Sequence, residues 1–564
     1  MSRKLFSLIA SCLAIGMSAC TTLRPPTTAK ACADWRWIGI SRSETRCPEI
    51  PGWTVRPLFP QLAPAWQKSD DFCKGADPPE CGYCKERLKE HVPDENLIRE
   101  LNRFCVYEPQ HPKWIFQKPP FPAASSADLI RFDQDCAALS FADTELYPDP
   151  PVDRAPEEKY PKKEKEKWRS NYQHFFSEVG QKKELLESET GTSVRLAFLD
   201  TEPTRESFSA QSGNSPHGYT LANIARNLLC TFESPAHCAA QITTRLALPI
   251  IEFNPKGSKY NKIDAEHGGH IGMQSDLAMA IRDEVDRWQE GRQNGTSPQH
   301  LVLNLSLAWD GRLFGGLSEE WINEMRAGTQ AVYWALQYAA SFDVLVLAAA
   351  GNQKCEPCPN DGPLLPAAWE KDVPQEQGCP IEPRKKPLLY AVGGVDTDNR
   401  PLANARPKGM PRRAAYGETA VVTGVNLDTS EPTYNGRIYS GSSVATAVVS
   451  SIAAFVWNSD PGLDSHGVMD KLDESGNELK VPADFWFVKP APAGSAVPLP
   501  AGSSEPPMVH RLSLSTALEP SSRVSLDPPP IERGNRSWSR GSCQPWNFPQ
   551  PEDPPCAACI KPPP

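Results

Sequence analysis

The chain has 564 residues, enough for two to four domains at about 150 residues each. A formal net charge of −10 argues against nucleic acid as a partner, and no apolar run reaches the ~18 residues that span a bilayer. Proline, at 58 residues, is about twice as frequent as usual and predicts extended, loop-rich stretches, while 17 cysteines are many for a reduced compartment.

Arg3 and Lys4 precede an apolar stretch from Leu5 to Met17, the pattern of a secretory signal rather than an anchor helix. It ends in Met17-Ser18-Ala19-Cys20, which resembles the bacterial lipobox. That resemblance implies removal of residues 1–19 and lipidation of Cys20, with palmitate among the acyl groups. Thr21 follows rather than Asp, which resembles the default sorting to the outer membrane in Gram-negative bacteria. The expected location is therefore a bacterial cell envelope, with the membrane reached through lipidated Cys20. An ordinary signal peptide cut nearby is the alternative.

Setting aside Cys12 and Cys20 leaves an odd number of cysteines, so at least one is free or pairs between chains. Cys81 and Cys84, Cys355 and Cys358, and Cys556 and Cys559 are each spaced as half a zinc site. In an exported protein disulfides are the preferred reading, with connectivity open.

Composition divides the mature chain. Residues 20–140 form a Cys-rich N-terminal region, with a short helical pattern from Glu95 to Leu101. Residues 141–190 form a charged, Pro-rich linker that includes Lys162 to Lys167 with alternating signs. Residues 191–489 read as strands alternating with helices. Residues 490–564 are a Pro-rich tail, expected to be disordered or polyproline-like.

In the middle region, Val194–Leu199 is strand-like and ends at Asp200. A helical run covers Tyr219–Leu229, and Leu277, Ile281, Val285 and Trp288 recur at helical spacing. Further strands are expected at Leu301–Leu307, Asp343–Ala350 and Leu388–Val395. Ser318 would cap a helix running to about Ala340, and another helix runs from near Ser443 to Trp457. The alternation predicts an α/β domain with a mostly parallel sheet covered by helices on both faces. Ligands of such sheets bind outside the carboxyl ends of the strands, where Asp200, Asn304 and Asn352 fall.

Four polar positions are ambiguous one at a time. Asp200 ends a strand, as a turn residue would. His217 opens a helix, as a capping or surface histidine would. Asn352 follows Ala348-Ala349-Ala350-Gly351 and alone is a turn signal. Ser443, in Gly441-Ser442-Ser443-Val444-Ala445-Thr446, sits where an N-cap serine would sit.

Their order resolves the ambiguity. Asp, His, oxyanion Asn and then Ser is the chain order of subtilisin-type proteases. Val194–Thr201 resembles the subtilase Asp motif, His217-Gly218 with Ala222 the His motif, and Ala348–Asn352 the oxyanion motif. Gly441–Thr446 resembles the Ser motif, and Asn304-Leu305-Ser306-Leu307 the substrate-binding strand. The likeness covers about 300 residues and implies a subtilisin-like three-layer α/β domain. It departs from the family pattern at Glu202, Thr220 and Ala447.

The resemblance implies a membrane-anchored serine endopeptidase. Ser443 would be the nucleophile, His217 the general base, Asp200 its orienting carboxylate, and Asn352 an oxyanion donor. Ser306, Leu307, Ala308, Ala349 and Gly351 would line the substrate, which is a protein or peptide. Small residues there suggest room for a sizeable apolar side chain. No cofactor is required; calcium is common in the family, but no ligand is assignable. His267-Gly268-Gly269-His270 reads as an exposed loop rather than a metal site, and Cys355, Cys358 and Cys379 as staples of a loop beside the active site. A cut near Glu187–Thr192 would leave the lipid with the N-terminal part and release the protease unless disulfides held it. The alternative is a catalytically inactive lipoprotein of the same fold acting as a binding or assembly scaffold. A zinc-dependent hydrolase has less support, since His-Glu-x-x-His is missing. The oligomeric state is not legible.

Overall fold

The computed structural model describes residues 32–139, 192–479 and 509–512. Within these it leaves out 44–45, 60–94, 111–127, 202–216, 232–233, 253–261, 264–267, 270, 312–314, 317–321, 353–361, 371–386, 403, 419 and 426–431. Cys20, the linker, the three Cys-x-x-Cys pairs, Cys379, Glu202, His267, His270 and Ser318 lie outside the described residues.

The N-terminal part supplies β1 (Cys32–Ser41), β2 (Trp53–Pro57), α1 (Glu95–Asn102), β3 (Phe104–Pro109) and β4 (Leu129–Leu139). Next come β5 (Val194–Asp200), α2 (His217–Leu229), the hairpin β6 (Cys230–Thr231) and β7 (Ser234–Cys238), and β8 (Gln241–Leu246). They are followed by β9 (Ile250–Glu252), β10 (Lys262–Ile263), β11 (Ile271–Met273), α3 (Gln274–Gln293) and β12 (His300–Leu305). Then come α4 (Ala327–Ser341), β13 (Leu345–Ala349), β14 (Tyr390–Val395) and β15 (Arg413–Tyr416). The hairpin β16 (Ala420–Val425) and β17 (Pro432–Tyr439) leads to α5 (Ser442–Ser459) and α6 (Ser465–Ser475). Two short strands, β18 (Asn477–Leu479) and β19 (Val509–Arg511), complete the described chain.

The main sheet has eight strands in the order β18-β19-β15-β14-β13-β12-β5-β8. Every pairing from β8 to β19 is parallel, and β18 adds antiparallel. Side chains alternate between two cores, as a period of two requires. On β5, Ala197 and Leu199 face α3 and α4, while Val194, Leu196 and Phe198 face α2 and α5. On β12, Leu301, Leu303 and Leu305 join the first core and Val302 the second. Burial on both faces explains why these strands read as unbroken apolar runs. The expected three layers are present.

Helix α5 is long and apolar enough to cross a membrane by length and composition, yet 89% of it is buried in the protein. It is a core helix, and its apolar character comes from packing between the sheet and α2.

Three readings of the sequence change. Val509–Arg511 adds a strand to the main sheet inside the stretch read as a disordered tail, pairing with both β15 and β18. The helix expected from Ser318 begins at Ala327 instead. Gly268 and Gly269 are buried rather than in an exposed loop, and Gly269 N–H donates to Leu248 O at 2.6 Å.

The N-terminal region is continuous with the rest. Its strands enter a second sheet, β10-β9-β11-β4-β1-β3-β2, in which β4 pairs antiparallel with β11. Ile38, Ile40, Leu97, Leu101, Phe104 and Val106 share one core with Leu277, Ile281 and Trp334. Disulfides join Cys47 to Cys105 and Cys230 to Cys238, as an oxidising compartment favours.

Candidate active site

Asp200 is the last residue of β5, and its carboxylate is fully buried. His217 is the first residue of α2, and its Nδ1 lies 2.9 Å from both Asp200 oxygens. In the tautomer that pairs with a carboxylate, Nδ1 donates to Asp200 and Nε2 is the nitrogen turned away from it. Two further bonds fix this pair. Thr201 N–H donates to Asp200 Oδ1 at 2.6 Å, and Gly218 N–H donates to Thr201 Oγ1 at 2.8 Å. The helix start presses on the strand end: a Cβ on Gly218 would lie 2.0 Å from the Thr201 carbonyl oxygen. Glycine after the histidine is thus a packing requirement.

Ser443 is the second residue of α5. At that position its backbone N–H has no carbonyl of its own helix to bond, and the helix dipole favours negative charge there. Gly351 and Asn352 leave the end of β13 and lock onto the preceding serine. Gly351 N–H donates to Ser442 Oγ at 3.1 Å, and Ser442 N–H donates to Asn352 Oδ1 at 2.9 Å. The second bond commits the amide oxygen of Asn352 to Ser442 and makes its amide nitrogen the donor side. Gly351 has a φ of +92°, a left-handed conformation that favours glycine.

Ser306 follows the end of β12 and holds Ser443 from the other side. Ser306 Oγ has one proton to share between Asn304 Oδ1 at 2.8 Å and Ser443 O at 3.2 Å, while Asn304 Nδ2 donates to Ser450 Oγ at 3.0 Å. Ser443 Oγ donates to Ser306 O at 3.4 Å; among the described residues it bonds there and not to His217. Asp200–His217 and Ser443–Ser306 occupy the carboxyl ends of the adjacent strands β5 and β12, with α2 and α5 packed together behind them. Leu307, Ala308 and Ala349 are buried beside Ser306 and Gly351.

Ser442 and Thr201 emerge as positioning residues that the sequence places only inside motifs. Ser442 anchors the Asn352 segment to α5, and Thr201 anchors α2 to β5. Asn404, which donates to Ser440 O at 2.9 Å, steadies the approach to α5 and carries no local sequence signal. Among the described residues, no group of three or more His, Cys, Asp or Glu side chains is placed to hold a metal.

Residues 276–480 match the model of the Subtilase family. That range contains Asn304, Asn352 and Ser443 and begins after Asp200 and His217. Among solved structures, the chain is similar to the prenylagaramide maturation protease PagA, at 18% identity. The similarity covers 60% of this chain and 98% of that one, with a TM-score of 0.34. No curated protein matches the chain. The likeness to the Subtilase family, Peptidase S8, thus rests on residues 276–480 of the chain.

Proposed function

We propose that the chain is a serine endopeptidase that hydrolyses peptide bonds through an acyl-enzyme, acting on protein or peptide substrates. The observation that carries this reading is the buried Asp200–His217 pair beside a serine at a helix N-terminus. The Ser443 hydroxyl swings from Ser306 O toward His217 Nε2, and such bonds often tighten only when substrate is bound. Ser443 Oγ then attacks the scissile carbonyl as His217 takes its proton. Asp200 stabilises the imidazolium that forms. The Ser443 N–H and the Asn352 amide receive the developing oxyanion. His217 delivers the proton to the leaving amine, and water repeats the sequence to release the acyl group.

The same proposal places the enzyme at a membrane through lipidated Cys20, in a bacterial envelope and at the outer membrane if the cell is Gram-negative. The lipobox-like Met17–Cys20 and the two disulfides support export.

A fluorophosphonate probe tests the chemistry without knowledge of the substrate. Labelling of the full-length protein that disappears in Ser443→Ala is the expected result. A parent chain that takes no label while folded would favour a scaffold over an enzyme. Intact-mass analysis of the mature N-terminus, with Cys20→Ala as control, tests the anchor.

A further inference from the structure

We infer that Leu364 closes the floor of the substrate pocket and restricts the enzyme to small residues on the acyl side of the cleaved bond. The inference rests on the proposed role of Ser443.

Ser443 lies between two backbone segments. One is Ser306–Ala308, reached through Ser306 O; the other is Ala349–Asn352, reached through Ser442. A substrate residue whose carbonyl sits at Ser443 Oγ has to direct its side chain into the gap between them. A third segment bridges that gap. Leu364 N–H donates to Ala350 O at 2.9 Å. Leu365 exchanges two hydrogen bonds with Trp309, at 2.8 and 2.9 Å, directly after Ala308.

The two leucines have different surroundings. Leu365 joins the main core with Trp309 and Trp369. Leu364 is buried against Gly351: its Cδ1 would lie 2.5 Å from a Cβ at that glycine, and its Cγ 2.9 Å. The space that small residues at 349–351 would leave is thus filled from residue 364. What is left suits a methyl or hydroxymethyl group better than an aromatic ring. Forcing a large side chain into a packed site displaces neighbours at a cost, and tight pockets discriminate by about 10–200-fold.

Two chromogenic peptides that differ only in Ala or Phe before the scissile bond provide the test. They are compared on full-length parent, Leu364→Ala and Leu364→Gly, with active enzyme counted by fluorophosphonate titration. The parent is expected to favour Ala by at least about 10-fold in kcat/KM, and both variants to move the ratio toward Phe by about 10–100-fold. A parent that prefers Phe overturns the inference, as does an unchanged ratio in variants that titrate as active. Should neither variant fold, Leu364→Val is expected to give a smaller shift in the same direction, and an unchanged ratio there counts against the inference. A parent that does not titrate overturns the proposed function itself, and this inference with it.

Discussion

Asp133 on β4 accepts a hydrogen bond at 3.0 Å from the backbone N–H of Ala327, the first residue of α4. The helix's own flanking residue, Arg326, offers no side-chain bond to the helix start. A carboxylate 194 residues earlier in the chain therefore does the work of an N-cap. Two residues along the same strand, Asp135 accepts from Ser275 N–H at 3.3 Å at the start of α3. Alternate residues of a strand share a face, so one face of β4 serves both helices. Replacing Asp133 with Ala is expected to cost about 1 kcal/mol, the usual worth of a cap. Denaturant unfolding measures it, and an unchanged midpoint would show the contact to be neutral.

Shared sheet and shared core also bear on processing. The β4–β11 pairing and the common apolar core predict that a break in the linker leaves the two parts together. A site for a sequence-specific protease placed within residues 141–190 tests this. After cutting, residues 20–140 are expected to co-elute with the catalytic part in native gel filtration, with or without reductant. Separation of the pieces would mean that the interface depends on chain continuity. If Cys20 carries lipid, co-elution also means that a cut protease stays at the membrane.

The same interface contains a titrating group. Burial pushes the Asp135 carboxyl up to about 7; Arg36 lowers it and Asp276 raises it again. Arg36 lies 3.8 Å from Asp135, 2.6 Å from Asp276 and 3.3 Å from Glu108, so one cation faces three carboxylates. Burial pulls Arg36 down, but these carboxylates more than offset it and keep it charged. Between about pH 4 and 7 the folded chain holds a proton on Asp135 that the unfolded chain has released. Stability is then expected to fall as pH rises through that window and to level off above it. Asp135→Asn should flatten the fall by at most about 4 kcal/mol. Unfolding midpoints of parent and variant from pH 4 to 8 decide the matter, since parallel profiles would exclude Asp135.

The elements that carry Asp200, His217, Asn352 and Ser443 are legible because each records its environment locally. β5 and β13 are buried on both faces and read as apolar runs, α2 begins at His217, and Ser443 is the second residue of α5. The docking of the N-terminal region is not legible, because β4 pairs with a three-residue strand more than 130 positions away. Ser318 looks like a cap in sequence, whereas the cap used comes from Asp133 across space. Val509–Arg511 is too short and too close to prolines to register as a strand, yet two neighbours complete it. Leu364 is one leucine in an unremarkable stretch, and only the fold sets it over Gly351.

Gly218 offers a test of how the Asp–His pair is held. A methyl group there would sit 2.0 Å from the Thr201 carbonyl oxygen and 3.0 Å from Asp200 Cβ. Backbone cannot yield as a flexible side chain can, so Gly218→Ala should push α2 away from β5. The expected result is a loss of about 1–3 kcal/mol in stability and a fall in the rate of fluorophosphonate labelling. Unchanged labelling in a destabilised variant would show that the pair tolerates the shift.

Asn352 carries two polar groups that substitution can separate. Its Oδ1 holds Ser442 N–H and so positions the start of α5, while its amide nitrogen is the proposed oxyanion donor. Asn352→Asp keeps an acceptor for Ser442 but places negative charge where the oxyanion would form. Asn352→Ala removes both groups. If oxyanion binding dominates, kcat should fall by about 10²–10³ in the Ala variant, and at least as far in the Asp variant, with KM little changed. If positioning of Ser442 dominates, the Asp variant should retain most of the activity and only the Ala variant should lose it. Steady-state kinetics on one peptide substrate separates these outcomes, and near-parental kcat in the Asp variant would remove Asn352 from the oxyanion site.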